Sequence, residues 1–144
     1  MTEPLYTLDI LRLASESGLS PRLTDPDATA ERRSLVCGSR IAVDVVVDGD
    51  GRVTEYGHDV RACALGQASA TVLARAIKGK TVAELMAVRD GLAAYLSGAI
   101  EEAPAWSGID ILSRAIPYPA RHAAIRLPFE AVVEAVAHVS EKVR

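Results

Sequence analysis

Residues 40–48, Arg-Ile-Ala-Val-Asp-Val-Val-Val-Asp, alternate, with Ile41, Val43, Val45 and Val47 on one side and Asp44 and Asp48 on the other. A period of two predicts a half-buried strand. Asp48-Gly49-Asp50-Gly51 then reads as a hairpin turn, and Arg52 to Arg61 as the returning strand. Asp44, Asp48 and Asp50 lack the ligand spacing of a calcium loop, so they are expected on a solvated strand face and in the turn. Two antiparallel strands of similar length bring the start of the first beside the end of the second. Cys37 stands just before the first strand and Cys63 just after the second, so the two cysteines of the chain are expected at one end of one sheet.

Cys63 also opens a run of small residues, Ala64-Leu65-Gly66-Gln67-Ala68-Ser69-Ala70-Thr71, that reads as a helix ending at Lys78-Gly79. Unpaired N–H groups and the helix dipole favour a thiolate at such a start, and thiolate is the form that binds metal or attacks sulfur. The plain alternative is a small buried apolar residue. Elsewhere, Leu5, Leu8 and Leu11 with Ile10 and Leu13 predict a helix from Leu5 to Ser17, with Pro4 in its first turn and Gly18 stopping it. Ser20 to Thr29 is expected to be loop, and Ser34-Leu35-Val36 a short edge strand. Thr81-Val82-Ala83-Glu84 has capping-box spacing and opens a helix through Leu96 that Ser97-Gly98 stops. Glu101 to Pro119 reads as loop with a helical turn at Ile109 to Arg114, and a last helix opens at Arg121 or at Pro128 and runs to Lys142. Strands followed by helices without alternation predict an α+β fold, a small antiparallel three-stranded sheet packed against helices. His58 is expected in the core, and Asp59 on the surface. His138 is expected at the surface near Lys142 and Arg144.

A chain of 144 residues predicts one domain over 1–144, with a core built from Ala, Val, Leu and Ile because few residues are aromatic. The net charge of −3 and the absence of a Lys/Arg run argue against a nucleic-acid partner. No stretch approaches the roughly 20 apolar residues that cross a bilayer, and Met-Thr-Glu-Pro does not begin a signal sequence. The expectation is a cytoplasmic protein without membrane contact. In a reducing compartment two cysteines point to metal, catalysis or packing before a disulfide.

Four segments together carry a resemblance. Leu35-Val36-Cys37-Gly38-Ser39-Arg40-Ile41, Arg61-Ala62-Cys63-Ala64-Leu65-Gly66-Gln67-Ala68-Ser69-Ala70, Lys78-Gly79-Lys80-Thr81 and Tyr118-Pro119-Ala120-Arg121 resemble the U-type iron-sulfur cluster scaffolds, the family of IscU, SufU and the N-terminal part of NifU. The likeness extends to Leu5-Tyr6 and Pro21-Arg22 and keeps the family's order along nearly the whole chain. It implies the same small sheet covered by helices on one face.

The resemblance also implies a site of three cysteines and an aspartate, and this chain departs from it twice. Cys37 and Cys63 fall on the first two cysteines, Ser39 stands at the aspartate and Ala124 at the third cysteine. A [2Fe-2S] cluster takes four protein ligands, commonly thiolates, and histidine replaces some of them in known cases. His122, two residues before Ala124, is the candidate substitute, and Ser39 offers only a neutral oxygen. Three readings follow. In the first, the chain is a scaffold or carrier rather than an enzyme. It takes sulfur from a cysteine desulfurase on Cys63, holds iron or a nascent cluster on Cys37 and Cys63, and passes it to recipient apoproteins. The cluster is completed by His122 with an exogenous thiol in a monomer, or shared in a cluster-bridged dimer. In the second, Cys37, Cys63 and His122 hold zinc in a SufU-like sulfurtransferase. In the third, the chain is a degenerate module that binds proteins and no metal. Ile116-Pro117-Tyr118-Pro119-Ala120 lacks the lysine of the segment that chaperone-dependent members carry, so it resembles the SufU version more.

Overall fold

The hairpin forms where the alternation places it. Strand β2 (Arg40–Val47) pairs antiparallel with strand β3 (Val53–Arg61), from Arg40↔Arg61 at one end to Val47↔Val53 at the other. Asp48 builds the turn, its Oδ1 accepting from the N–H groups of Asp50 and Arg52 at 2.9 and 3.0 Å. A short acidic side chain bonding the backbone ahead of it is a turn former, so the reading of Asp48 holds. The computed structural model describes residues 5–142, and the readings that fall on Pro4 and Arg144 lie outside the described residues.

The third strand lies elsewhere than expected. Strand β1 is Ala28–Arg33, paired antiparallel to β2 from Ala28↔Val45 to Arg33↔Arg40, and the sheet order is β1-β2-β3. Ser34–Val36 instead enters a turn closed by Gly38 N–H to Ser34 O at 2.9 Å and Ser34 N–H to Ser39 O at 2.8 Å. Only Ala28 and Ala30 mark the buried face of β1, and alanine has little preference for strands. Pairing with β2 overrides that local preference.

Helices α1 (Leu8–Ser15), α2 (Ala64–Ala76), α3 (Val82–Ser97) and α4 (His122–Lys142) complete the fold, with 3-10 turns at Ser17–Leu19, Ile109–Ala115 and Pro119–Arg121. The capping box of α3 forms as read, and Gly98 ends that helix in the left-handed conformation. Of the two starts considered for α4 the earlier occurs, with Pro128 inside the helix. Ile41, Val43 and Val45 share one buried core with Leu65, Leu73, Phe129 and Val132. Among the described residues no helix is long and apolar enough to cross a membrane.

Two polar groups tie the N-terminal segment to the sheet, and one corrects an expectation. Asp44 is fully buried, not solvated. Arg22 grips both its oxygens at 2.6 and 2.9 Å, Leu23 N–H donates at 3.0 Å, and Thr29 Oγ1 donates at 2.5 Å. The segment carrying Arg22 and Leu23 thus covers a carboxylate that an isolated hairpin would leave in water. Burial pushes the Asp44 pKa up, but Arg22, Thr29 and Leu23 N–H outweigh it and hold the carboxyl below its ordinary value. His58 is in the core as expected. Its Nε2 lies 2.7 Å from Ser17 O and its Nδ1 2.7 Å from Tyr56 Oη. A carbonyl only accepts, so Nε2 carries the proton and Nδ1 accepts from the phenol. Burial lowers the His58 pKa, against smaller opposing effects of Ser17 and Asp59.

Asp44→Ala removes the acceptor for four donors and should cost about 3 kcal/mol, read as a lower urea midpoint. For His58 the sign runs toward acid. A folded pKa below the unfolded ~6.5 leaves stability complete above that value and lost as pH falls beneath it, by at most ~1.4 kcal/mol per pH unit. His58→Phe should flatten the fall in urea midpoint between about pH 7 and pH 5.5, set against the wild type in the same buffers.

Candidate functional site

The Arg40↔Arg61 pair closes the sheet at the end where both cysteines stand. Cys37 is exposed in the turn between β1 and β2, beside Gly38 at φ +75, a conformation that favours glycine. The same turn holds Leu35 94% and Val36 79% exposed. Cys37 Sγ donates to Ser39 Oγ at 3.1 Å. Ser34, 7% exposed, has a buried Oγ without a partner at hydrogen-bond geometry. The hydroxyls of Ser34 first and Ser39 second nonetheless act on the sulfur and lower the Cys37 pKa. The sequence carries no signal for this environment at Cys37, which the two serine hydroxyls make. Ser34 escapes the sequence reading because its position resembles an edge strand, and no local pattern marks its hydroxyl.

Cys63 is the N-cap residue of α2, half-buried, and its side chain makes no capping bond. The thiol therefore has no backbone partner to give up before it reacts. A Cβ at Gly66 would lie 2.6 Å from Ala62 Cβ and 3.4 Å from both Ala124 Cβ and Ala124 O, so the first turn of α2 meets the start of α4 through a glycine. Ser69 Oγ donates to Ile125 O at 2.5 Å along the same contact. Ala124, at the third-cysteine position of the resemblance, thus packs against the helix that Cys63 opens and is 2% exposed. The residue there supplies only a methyl group.

His122 opens α4, half-buried, with Nε2 2.8 Å from Ala115 O. That bond puts its proton on Nε2 and leaves Nδ1 as the unprotonated nitrogen. Among the described residues no group of three His, Cys, Asp or Glu side chains stands close enough to hold a metal ion. The set Cys37, Cys63 and His122 is therefore not gathered in this conformation. Ser39 is buried, and its hydroxyl serves Cys37.

Charge at this end comes from arginine. Arg33, Arg40 and Arg61 stand opposite one another across β1, β2 and β3, which puts all three on one face. That face is the outer one, because Ile41, Val43 and Val45 point into the core. Arg40 lies 3.8 Å from Glu31, Arg61 lies 3.5 Å from the exposed Asp59, and Arg33 has no ion-pair partner among the described residues.

A three-stranded meander backed by helices, with two cysteines just beyond adjoining strand ends, is the α+β arrangement that the resemblance implies. The profile of the NifU-like N terminal domain matches residues 8–124, from α1 into the start of α4. The chain belongs to that family. It is 37% identical to an N-terminal NifU-like protein from Brucella abortus whose crystal structure superposes with a TM-score of 0.85 over 96% of both chains. It is 24% identical over 136 residues, 94% of this chain and 95% of the relative, to the iron-sulfur cluster assembly scaffold protein IscU of Thermotoga maritima. A Fervidobacterium islandicum protein assigned as a SUF-system scaffold, 21% identical, shares the fold with a TM-score of 0.82, over 92% of this chain and 96% of its own.

In a Cys63→Ala background, alkylation of Cys37 by iodoacetamide should titrate below an ordinary thiol. Ser34→Ala with Ser39→Ala should move that pH profile upward, as followed by mass spectrometry.

Proposed function

We propose that this chain is an iron-sulfur cluster assembly scaffold, in which Cys37 and Cys63 receive sulfur and hold iron or a nascent cluster. The observation that carries the reading is the Arg40↔Arg61 register, which sets both cysteines at one sheet end although 25 residues separate them. Family membership supports the scaffold role and, with it, a cysteine desulfurase as the kind of protein that supplies sulfur.

The two thiols have different parts to play. Cys37 is exposed, on a turn with an apolar tip, and its lowered pKa raises the thiolate fraction near neutral pH. It is the better placed to attack an incoming persulfide, and the attack moves the outer sulfur to Cys37 as the donor leaves as a thiolate. Cys63 is half-buried at the start of a rigid helix and is the more fixed anchor. This reverses the roles that sequence alone suggests, because exposure and the serine hydroxyls both favour Cys37. Two thiolates make half a ligand set for a [2Fe-2S] cluster. The remaining donors come from outside the residues gathered at this end.

Anaerobic incubation with ferric iron, sulfide and thiol should give visible absorption with the wild type and little with Cys37→Ala or Cys63→Ala. Protein that stays colourless, or that keeps full absorption without either cysteine, overturns the reading. Zinc near one equivalent in the isolated protein, with no chromophore after reconstitution, favours the zinc-bound sulfur acceptor instead.

A further inference from the structure

The site end is short of donors and rich in cation. Ser39 and Ala124 stand where the resemblance implies a carboxylate and a thiol, and Arg33, Arg40 and Arg61 form a row across all three strands. Cys37 is three residues from Arg40, and Cys63 two from Arg61. Glu31 and Asp59 offset Arg40 and Arg61, and Arg33 is left over. A [2Fe-2S] centre with thiolate ligands is itself anionic, so a cationic rim suits that cargo. It also suits any co-ligand that brings a negative charge, and it opposes close approach of a second rim of the same kind.

We infer that the missing ligands come from a small thiol carrying a carboxylate, its sulfur beside Cys37 and Cys63 and its carboxylate against the Arg33–Arg40–Arg61 row. The inference rests on the scaffold reading. On binding iron, the incoming thiol gives its proton to the buffer and displaces a solvent ligand, and no electron moves. Neither surrogate named from sequence fills that place. Ser39 is buried and bonded to Cys37, and His122 does not join the cysteines in a ligand group among the described residues. A second copy of the chain would bring two arginine rows together.

The test uses three thiols of one skeleton and different charge: 3-mercaptopropionate, 2-mercaptoethanol and cysteamine, compared at equal thiolate concentration. One unit charge about 6 Å from one arginine in water changes affinity roughly threefold. The concentration giving half the visible absorption on reconstitution should rise in the order anionic, neutral, cationic, with about tenfold between the ends. Arg33→Gln with Arg61→Gln should compress that range, as should about 0.5 M salt, where screening acts within ~5 Å. Both arginines are on the exposed outer face, so the variant should keep the wild-type urea midpoint. A metal-free arm reads the same rim. Exchange of Cys37 with the disulfides of these thiols forms the mixed disulfide and releases one thiolate, and its rate should be highest for the anionic disulfide and lowest for the cationic one. Equal half-saturation by the three thiols, an order that survives the double substitution, or full absorption at doubled mass without added thiol overturns the inference and leaves the scaffold reading standing. No absorption with any thiol overturns both.

Discussion

The pairing of Arg40 with Arg61 is the constraint on which the site depends. Cys37 and Cys63 belong to different connections, one between β1 and β2 and the other between β3 and α2, and only the strand register makes them neighbours. A slip by one residue would turn Ile41, Val43 and Val45 out of the core. The core therefore holds the register, and the register holds the site. Segments far from the cysteines serve the same end. Asp44, gripped by Arg22, Leu23 and Thr29, fastens the N-terminal segment to the centre of β2, and His58 does the same for β3 through Ser17.

Around the cysteines the polypeptide is unequal in stiffness and polarity. Cys63 rides on a helix held to α4 by the Gly66–Ala124 approach and by Ser69 on Ile125. A Cβ at Gly66 would collide with Ala62 at 2.6 Å and meet Ala124 at an ordinary 3.4 Å, and Ala124 itself carries no donor atom in its side chain. Cys37 instead stands on an exposed turn whose polar atoms look inward. Ser39 bonds the thiol, and Ser34 is buried with its hydroxyl unpaired. Both serines favour negative charge on Cys37 without adding any of their own. Arg33, Arg40 and Arg61 line the outer face at the same end, with Glu31 beside Arg40 and Asp59 beside Arg61.

Much of the fold could be read from the residues. The alternation of 40–48, the Asp-Gly-Asp-Gly turn, the capping box at Thr81 and the gathering of the cysteines each rest on short-range rules and appear as expected. Strand β1 could not be read, because two alanines carry its buried face and its partner lies several residues on. Asp44 misled for a related reason. Its side of the strand is outward within the hairpin, and a segment some twenty residues earlier covers it. The arginine row has no sequence signature either, since Arg33, Arg40 and Arg61 align only through register.

By itself the sequence determined the hairpin, the helical faces, the presence of just two thiols and the absence of a third cysteine and of the Cys-Gly-Asp carboxylate, because these depend on residue type and on neighbours within a few positions. Tertiary structure decided which thiol has hydroxyls around it, where Ala124 sits, that His122 bonds the Ala115 carbonyl, and that arginines share one face. Each of these depends on atoms brought together across many residues. Packing and register choose such neighbours, and local propensity carries no information about them.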